Sequence, residues 1–107
     1  MVGRDSYELI YDPEVGRQIS KLGRKYHSLI RQQIEEQLSY EPDTETRNRK
    51  PLLRPSVLGS AWELRFGPEN RFRVFYRVNR TRRQVYILAV GVKIKNRLLI
   101  GGEEFDL

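Results

Sequence analysis

The sequence contains no cysteine and a single histidine, His27. The absence of thiols excludes disulfides, thiolate nucleophiles and thiolate metal sites, and one histidine cannot form a metal site of several imidazoles. We therefore expect no metal and no other cofactor. Any reaction chemistry has to come from arginine, lysine, carboxylate, tyrosine and hydroxyl groups.

The sequence also lacks any run of eighteen apolar residues, and its first residues lack the basic, apolar and small-residue pattern of a secretory leader. We therefore expect a cytoplasmic protein without a membrane segment. The 107 residues, of which 38% are hydrophobic, suffice for one hydrophobic core and not for two. We predict a single domain over residues 1–107.

The charges are segregated along the chain. Residues 46–97 contain 14 Lys and Arg against only Glu63 and Glu69, a formal charge of +12, whereas the whole chain carries +6. Most other acids lie in residues 35–45 and 103–106. Such segregation is typical of a protein that binds a polyanion or an acidic partner, because charges that only keep a surface soluble are usually interspersed.

The stretch WELRFGPENRFRVFYRV, residues 62–78, alternates apolar and polar side chains on both sides of a Gly-Pro turn. Period-two alternation predicts two antiparallel strands with one apolar face. The opposite face would carry Glu63, Arg65, Arg73 and Arg77. This face is either a solvated outer surface, as in many antiparallel sheets, or a phosphate-binding surface, since guanidinium groups match phosphate geometry.

The first half of the chain predicts a short strand and two helices. Residues 7–11 are a short strand candidate, and Asp12 with Pro13 forms a helix start for the apolar positions 15, 19 and 22. Gly23 would end that helix, and a second is predicted from about Arg24 to Tyr40. The polar loop 44–55 that follows carries four cations, Arg47, Arg49, Lys50 and Arg54.

The second half continues with strands. After the central pair, residues 85–90 (VYILAV) predict a buried strand that ends at Gly91, followed by Lys93 and Lys95. Residues 98–100 are a last short strand or a helical turn. The predicted class is α+β, with an antiparallel two-helix hairpin packed on a twisted, mainly antiparallel sheet of four to five strands, in the order β-α-α-β-β-β.

These segments together carry a family resemblance. The order of elements, the stretch WELRFGPENRFRVFYRV and the later VYILAVGVKIKN resemble, over residues 7–105, the RelE/ParE superfamily of bacterial toxin–antitoxin toxins. The RelE-like branch implies a metal-independent endonuclease that cuts messenger RNA on the ribosome by attack of a ribose 2′-hydroxyl on the adjacent phosphate, and that inhibits growth. It also implies a cognate antitoxin that covers the basic surface in a hetero-oligomer.

The resemblance also implies roles for single residues. Arg73 matches the arginine at the scissile phosphate, Arg65 a basic residue on the preceding strand, and Glu63 lies near a proposed general base. Lys93 or Lys95 matches the basic C-terminal position. The family's tyrosine or His-Tyr pair is replaced here by residues 96–100 (NRLLI), so the general acid stays open among Lys93, Lys95 and Tyr86. RNA contacts are expected from the remaining cations, Arg47, Arg49, Lys50, Arg54, Arg71 and Arg77.

Two other functions fit the same sequence. A ParE-like protein would share the fold but inhibit DNA gyrase without cleaving RNA, and a degenerate toxin would survive only as a partner in a complex. The role of Glu63 also has an alternative. Its carboxylate could pair with an arginine across the sheet and merely neutralise the charge of that arginine.

Overall fold

The computed structural model describes residues 6–54, 56 and 58–106. It contains two α-helices, two short 3₁₀ turns and seven β-strands. In chain order these are β1 (Glu8–Tyr11), α1 (Val15–Ser20), a 3₁₀ turn (Arg24–Tyr26), α2 (His27–Leu38), β2 (Arg49–Pro51), β3 (Trp62–Phe66), a 3₁₀ turn (Pro68–Asn70), β4 (Phe72–Asn79), β5 (Gln84–Ile94), β6 (Arg97–Ile100) and β7 (Glu103–Phe105).

All seven strands form one sheet centred on β4 and β5. Strands β2 to β7 pair in sequence order and antiparallel, whereas β1 pairs parallel to the first half of β5. Strand β6 pairs with the second half of β5, on residues 91–94. The predicted α+β class and the mainly antiparallel sheet are confirmed. The strand number exceeds the four to five expected because β2 and β7 have only three residues each, too few for a recognisable alternation.

The two helices follow the predicted start and stop signals with shorter bounds. The Asp12 carboxylate accepts a hydrogen bond from the Glu14 N–H at 2.9 Å, and α1 then ends at Ser20. Gly23 has non-helical angles, as expected of a helix stop, and the 3₁₀ turn that follows delays α2 until His27. Among the described residues no helix is both long enough and apolar enough to cross a membrane.

The helices cover one face of the sheet and form the main core with it. Val15 and Ile19 of α1 and Ile30, Ile34 and Leu38 of α2 are buried there. The sheet contributes buried side chains from β3, β4 and β5, among them Leu64, Phe66, Phe72, Val74, Tyr76, Val85, Ile87 and Val90. The Tyr76 hydroxyl donates to the Pro42 carbonyl oxygen at 2.6 Å, which joins this core to the loop after α2.

The other face of the sheet is partly apolar, which the alternation of residues 62–78 does not predict. Phe75, Ala89 and Ile100 form a small buried cluster on it. A bulge brings Ala89 into this cluster: Phe75 pairs with Ala89 and Tyr76 with Ile87, so Leu88 is an extra residue in β5. The apolar run VYILAV therefore serves two cores, one on each side of the sheet.

The prediction that this strand ends at Gly91 is wrong. β5 continues to Ile94, and its last four residues pair with β6. Gly91 is needed inside the strand because a Cβ there would lie 2.5 Å from the Leu99 carbonyl oxygen. As a consequence Lys93 belongs to the sheet, where it pairs with Leu98, and only Lys95 belongs to a turn.

Candidate functional site

Three predicted site residues form one ion-pair cluster on the face away from the helices. The Glu63 carboxylate binds Arg65 Nε at 2.7 Å through one oxygen and Arg73 Nη1 at 3.2 Å through the other. The side chains of Glu63 and Arg73 are 7% and 13% exposed, whereas that of Arg65 is 40% exposed. The cluster is thus largely shielded from water on its Glu63–Arg73 side.

Strand pairing explains why the cluster forms. Arg65 on β3 and Arg73 on β4 are direct partners in the antiparallel ladder, and like charges in that position destabilise a sheet. Glu63 lies two residues before Arg65 on the same face, where its carboxylate neutralises both guanidinium groups. The structure thus contains both ion pairs that the neutralising alternative for Glu63 requires.

Next to this cluster, the cations at the ends of β4 and β5 line two adjoining clefts. The larger, of about 360 Å³, lies between Glu69, Arg71, Arg73, Lys93, Lys95 and Asn96. The smaller, of about 200 Å³, is lined by Glu63, Arg73, Lys93, Asn96, Leu98, Phe105 and Asp106. We call the two together the cationic cleft. Arg73, Lys93 and Asn96 belong to both parts, so a bound group could contact both.

The cations of the cleft differ in how strongly they are already engaged. Arg71 pairs with Glu69 at 3.3 Å, and Arg73 is held by Glu63 and by the Asn70 carbonyl oxygen. Lys93 and Lys95 form no ion pair with any residue that the structure describes. The two lysines are therefore available for an anionic ligand, while the arginines are held in place by their partners.

Lys95 also has an unusual backbone. Its φ is +58°, in the left-handed region that costs about 1 kcal/mol for a residue with a Cβ. Lys95 and Asn96 form the two-residue connection between β5 and β6. This turn projects the end of the β5–β6 hairpin beside Arg71 and completes one wall of the cleft.

The four cations predicted in the loop 44–55 separate into two kinds. Arg47 and Arg54 are exposed and have no ion pair within the described ranges, and Lys50 has only a 3.8 Å contact with Glu45. Arg49 instead donates to the Gln37 carbonyl and to the Thr44 carbonyl, at 2.8 and 2.9 Å. Its guanidinium thereby satisfies a carbonyl in the last turn of α2, a structural role that the sequence prediction missed.

Arg77 and Tyr86 lie outside the cationic cleft. They are partners in the β4–β5 ladder, and the guanidinium carbon of Arg77 is 4.7 Å from the centre of the Tyr86 ring. Arg77 follows Arg73 by four residues on β4, a separation of about 13 Å in a strand. The Tyr86 hydroxyl donates to Gln84 at 2.6 Å. Tyr86 is therefore placed too far away to act as the general acid at Arg73.

Several residues of the cleft were not predicted from the sequence. Asn96 lines it from the turn between β5 and β6, whereas Leu98, Phe105 and Asp106 line it because β6 and β7 form a hairpin that extends the sheet. The signal for that hairpin is the pair Gly101-Gly102, both at positive φ, which joins β6 and β7 as a two-residue turn. Among the described residues, no three His, Asp or Glu side chains converge as metal ligands.

Comparison with known proteins connects this fold with one group of solved structures. No protein-family model and no curated protein sequence matches the chain. A solved structure does: one chain of the toxin–antitoxin complex RelBE2 from Mycobacterium tuberculosis superimposes with a TM-score of 0.63 at 27% sequence identity. The match covers 79% of this chain and 95% of that chain. The resemblance noted in the sequence is thereby confirmed over most of the chain.

Proposed function

We propose that this chain, which is similar in fold to a chain of the RelBE2 complex, is the RelE-like toxin of a toxin–antitoxin pair and that it cleaves messenger RNA on the ribosome. The observation that carries the proposal is the cationic cleft, in which Arg71, Arg73, Lys93 and Lys95 surround a space of about 360 Å³. Such a cleft fits a phosphodiester, because its cations match the charge that develops on the phosphorus oxygens.

The proposed reaction is an attack of a ribose 2′-hydroxyl on the adjacent phosphorus. The O2′–P bond forms while the P–O5′ bond breaks, which leaves a 2′,3′-cyclic phosphate and a 5′-hydroxyl end. Arg73 is held at one position by Glu63 and the Asn70 carbonyl, so it offers a fixed donor to the non-bridging oxygens. Arg65 shares the Glu63 carboxylate and supports that position.

The two unpaired lysines, Lys93 and Lys95, have the remaining roles, which are protonation of the leaving group and binding of the phosphate. Lys93 borders both parts of the cleft, so its ammonium group can donate a proton to the leaving O5′. Lys95 and Arg71 bind the phosphate on the other side of the larger part. Glu63 contributes by orienting Arg73 and Arg65.

Binding of the RNA would be electrostatic first. Arg47 and Arg54 contribute exposed positive charge from the segment before β3, to which the half-buried Lys50 of β2 adds, and Arg77 extends that charge along β4. Each contact with a phosphate makes the affinity more sensitive to salt, because it releases a counterion. Action on translating ribosomes would place the protein in the cytoplasm.

An antitoxin is the second part of the proposal. The similar structure was solved as a toxin–antitoxin complex, and a cationic cleft bordered by the apolar side chains Leu98 and Phe105 fits an acidic, amphipathic segment of a partner protein. Such a segment would occupy the phosphate positions and thereby block RNA. We therefore expect a hetero-oligomer in which the cleft is covered.

Expression in bacteria without an antitoxin tests the proposed function. We expect growth arrest together with cuts inside the translated frame of an abundant message, located by primer extension, and we expect both to disappear with Arg73→Ala. Growth arrest without cuts, combined with loss of gyrase supercoiling activity, would instead identify a ParE-like inhibitor. Harmless expression of the folded protein would identify a degenerate partner.

A further inference from the structure

The cationic cleft contains one carboxylate, Asp106, that is not bound by any arginine that the structure describes. Asp106 follows β7 and lines the smaller part of the cleft together with Arg73 and Lys93. In the sequence it belongs to the acidic segment that follows the basic stretch 46–97. The β6–β7 hairpin brings it back to the basic surface.

Asp106 differs from the other two carboxylates at the cleft. Glu63 is bound by two arginines and Glu69 by Arg71. Asp106 is exposed and forms neither a hydrogen bond nor an ion pair with any part of the chain that the structure describes. It is thus the carboxylate of the cleft whose oxygens remain available to a ligand.

The strand that precedes Asp106 is held in place by packing. Its neighbour Phe105 pairs with Leu98 in the β6–β7 ladder, and both pack against the buried cluster of Phe75, Ala89 and Ile100. The Gly101-Gly102 turn closes the same hairpin. The backbone next to Asp106 is therefore anchored, as a group that must meet a reacting atom requires.

We propose that Asp106 is the general base of the proposed reaction. With the scissile phosphate at Arg73 and Lys93, the ribose on its 5′ side can enter the smaller part of the cleft, where the Asp106 carboxylate takes the proton of the 2′-hydroxyl. The O2′–P bond then forms, and the P–O5′ bond breaks as O5′ takes a proton from Lys93. Exchange with water returns both side chains to their starting states, so no further reactant is required.

This inference rests on the proposed function, and it assigns the proton transfer to a carboxylate that no arginine among the described residues binds. A base has to be ionised, unpaired and within hydrogen-bonding reach of the proton that it removes. Each carboxylate oxygen of Glu63 is bound by an arginine, whereas Asp106 is open to the cleft. In this assignment the arginine cluster binds the negative charge of the phosphate, and Asp106, next to the β6–β7 hairpin, accepts the proton.

The test compares Asp106→Asn with Glu104→Gln in single-turnover cleavage of a message on purified, programmed ribosomes. Glu104 is the matched control, since it lies two residues earlier and pairs with Arg97 outside the cleft. We expect Asp106→Asn to slow cleavage by about 100-fold to 10,000-fold at saturating protein, with RNA affinity changed by less than about threefold. Glu104→Gln should cleave at the wild-type rate. Both variants should have the melting temperature of the wild-type protein.

A message with a bridging sulfur in place of the scissile O5′ distinguishes the loss of the general base from the loss of the general acid. A sulfur leaving group departs without a proton, so this message should be cleaved again by Lys93→Ala, which lacks only the acid. Cleavage by Asp106→Asn should stay slow, because the 2′-hydroxyl still has to lose its proton. The inference is overturned if Asp106→Asn cleaves the normal message at the wild-type rate, if it cleaves faster because a competing anion has been removed, or if the sulfur substitution rescues it. A wild-type protein that cuts no message would overturn the proposed function itself, which is a different result from any of these.

Discussion

Glu63 and Arg73 form an ion pair of 3.2 Å across two neighbouring strands, with both side chains nearly buried. Arg65 joins the same carboxylate from the other side at 2.7 Å. The pair therefore both stabilises the sheet and fixes the arginine that we place at the phosphate. Under the proposed function, the Glu63 carboxylate would therefore connect the stability of the sheet with the position of Arg73.

Glu63→Ala should lower the free energy of unfolding by about 2 kcal/mol, since it leaves two adjacent arginines without their shared counter-charge. The loss should be smaller than for a fully buried pair, because Arg65 remains partly in water. Urea unfolding measures the change. The matched control is Glu69→Ala, which removes an exposed ion pair with Arg71 and should cost less than about 0.5 kcal/mol. Equal effects of the two variants would contradict this account of Glu63.

Arg47 and Arg49 should have opposite roles although only one residue separates them. Arg49→Ala removes hydrogen bonds to the carbonyls of Gln37 and Thr44 and should cost about 1–3 kcal/mol of stability. Arg47→Ala should leave stability unchanged and reduce the salt dependence of binding to single-stranded RNA, with a slope smaller by about 0.7. Urea unfolding and salt titrations of a labelled oligonucleotide measure the two effects. A loss of stability with Arg47→Ala would contradict the assignment.

Gly91→Ala should destabilise the protein by about 1–3 kcal/mol, because the added Cβ would collide with the Leu99 carbonyl oxygen of β6. It should also disturb the cleft, since β6 supports Lys93 and the hairpin that carries Asp106. Gly16→Ala is the control: no atom lies within 4 Å of its added Cβ, and alanine favours the helix. Thermal unfolding of both variants checks the prediction, and a neutral Gly91→Ala would show that β5 and β6 are farther apart than described.

Tyr76 should make the protein sensitive to alkaline pH. Burial raises the pKa of its hydroxyl above the ordinary tyrosine value of about 10, so the folded protein holds a proton that the unfolded chain releases. Stability is therefore complete below pH 10 and falls as the pH rises further. Tyr76→Phe should cost about 1 kcal/mol at pH 7, through the lost bond to Pro42, and this difference should shrink above pH 10.

Urea unfolding of the wild-type protein and of Tyr76→Phe at pH 7 and pH 10.5 measures the stability difference at each pH. Burial also raises the pKa of Tyr11, together with the nearby Glu35, so part of the pH dependence should remain in the variant. A constant difference between wild type and Tyr76→Phe across this range would contradict the prediction.

The sheet's central pair could be predicted from the sequence because its alternation is regular. The face containing Leu64, Val74 and Tyr76 is buried as expected, and the turn at 67–70 lies where Gly-Pro indicated it. The end of β5 could not be predicted, since a glycine inside a strand and a glycine after one look the same in a sequence. What distinguishes them is the close approach of β6, a contact made only in the folded chain.

The sequence predicted the site residues that follow a local pattern. It missed those whose position depends on how the strands pair and turn. Glu63, Arg65 and Arg73 alternate along two adjacent strands, and the structure brings them together. Arg49 has the same charge as its neighbours, but its place opposite Leu64 in the ladder directs it to the helix side of the sheet. Asp106 reaches the cleft only through the β6–β7 turn, which its acidic surroundings do not suggest.

Cleavage of a message on purified ribosomes tests the central claim most directly, with Arg73→Ala compared to Arg82→Ala. Both changes remove one arginine from the basic stretch 46–97, but Arg82 lies exposed in the β4–β5 turn, outside the cationic cleft. We predict cuts by the wild-type protein and by Arg82→Ala at similar rates, and a loss of about 100-fold or more with Arg73→Ala. Equal cleavage by both variants, or no cleavage by the wild-type protein, would contradict the account.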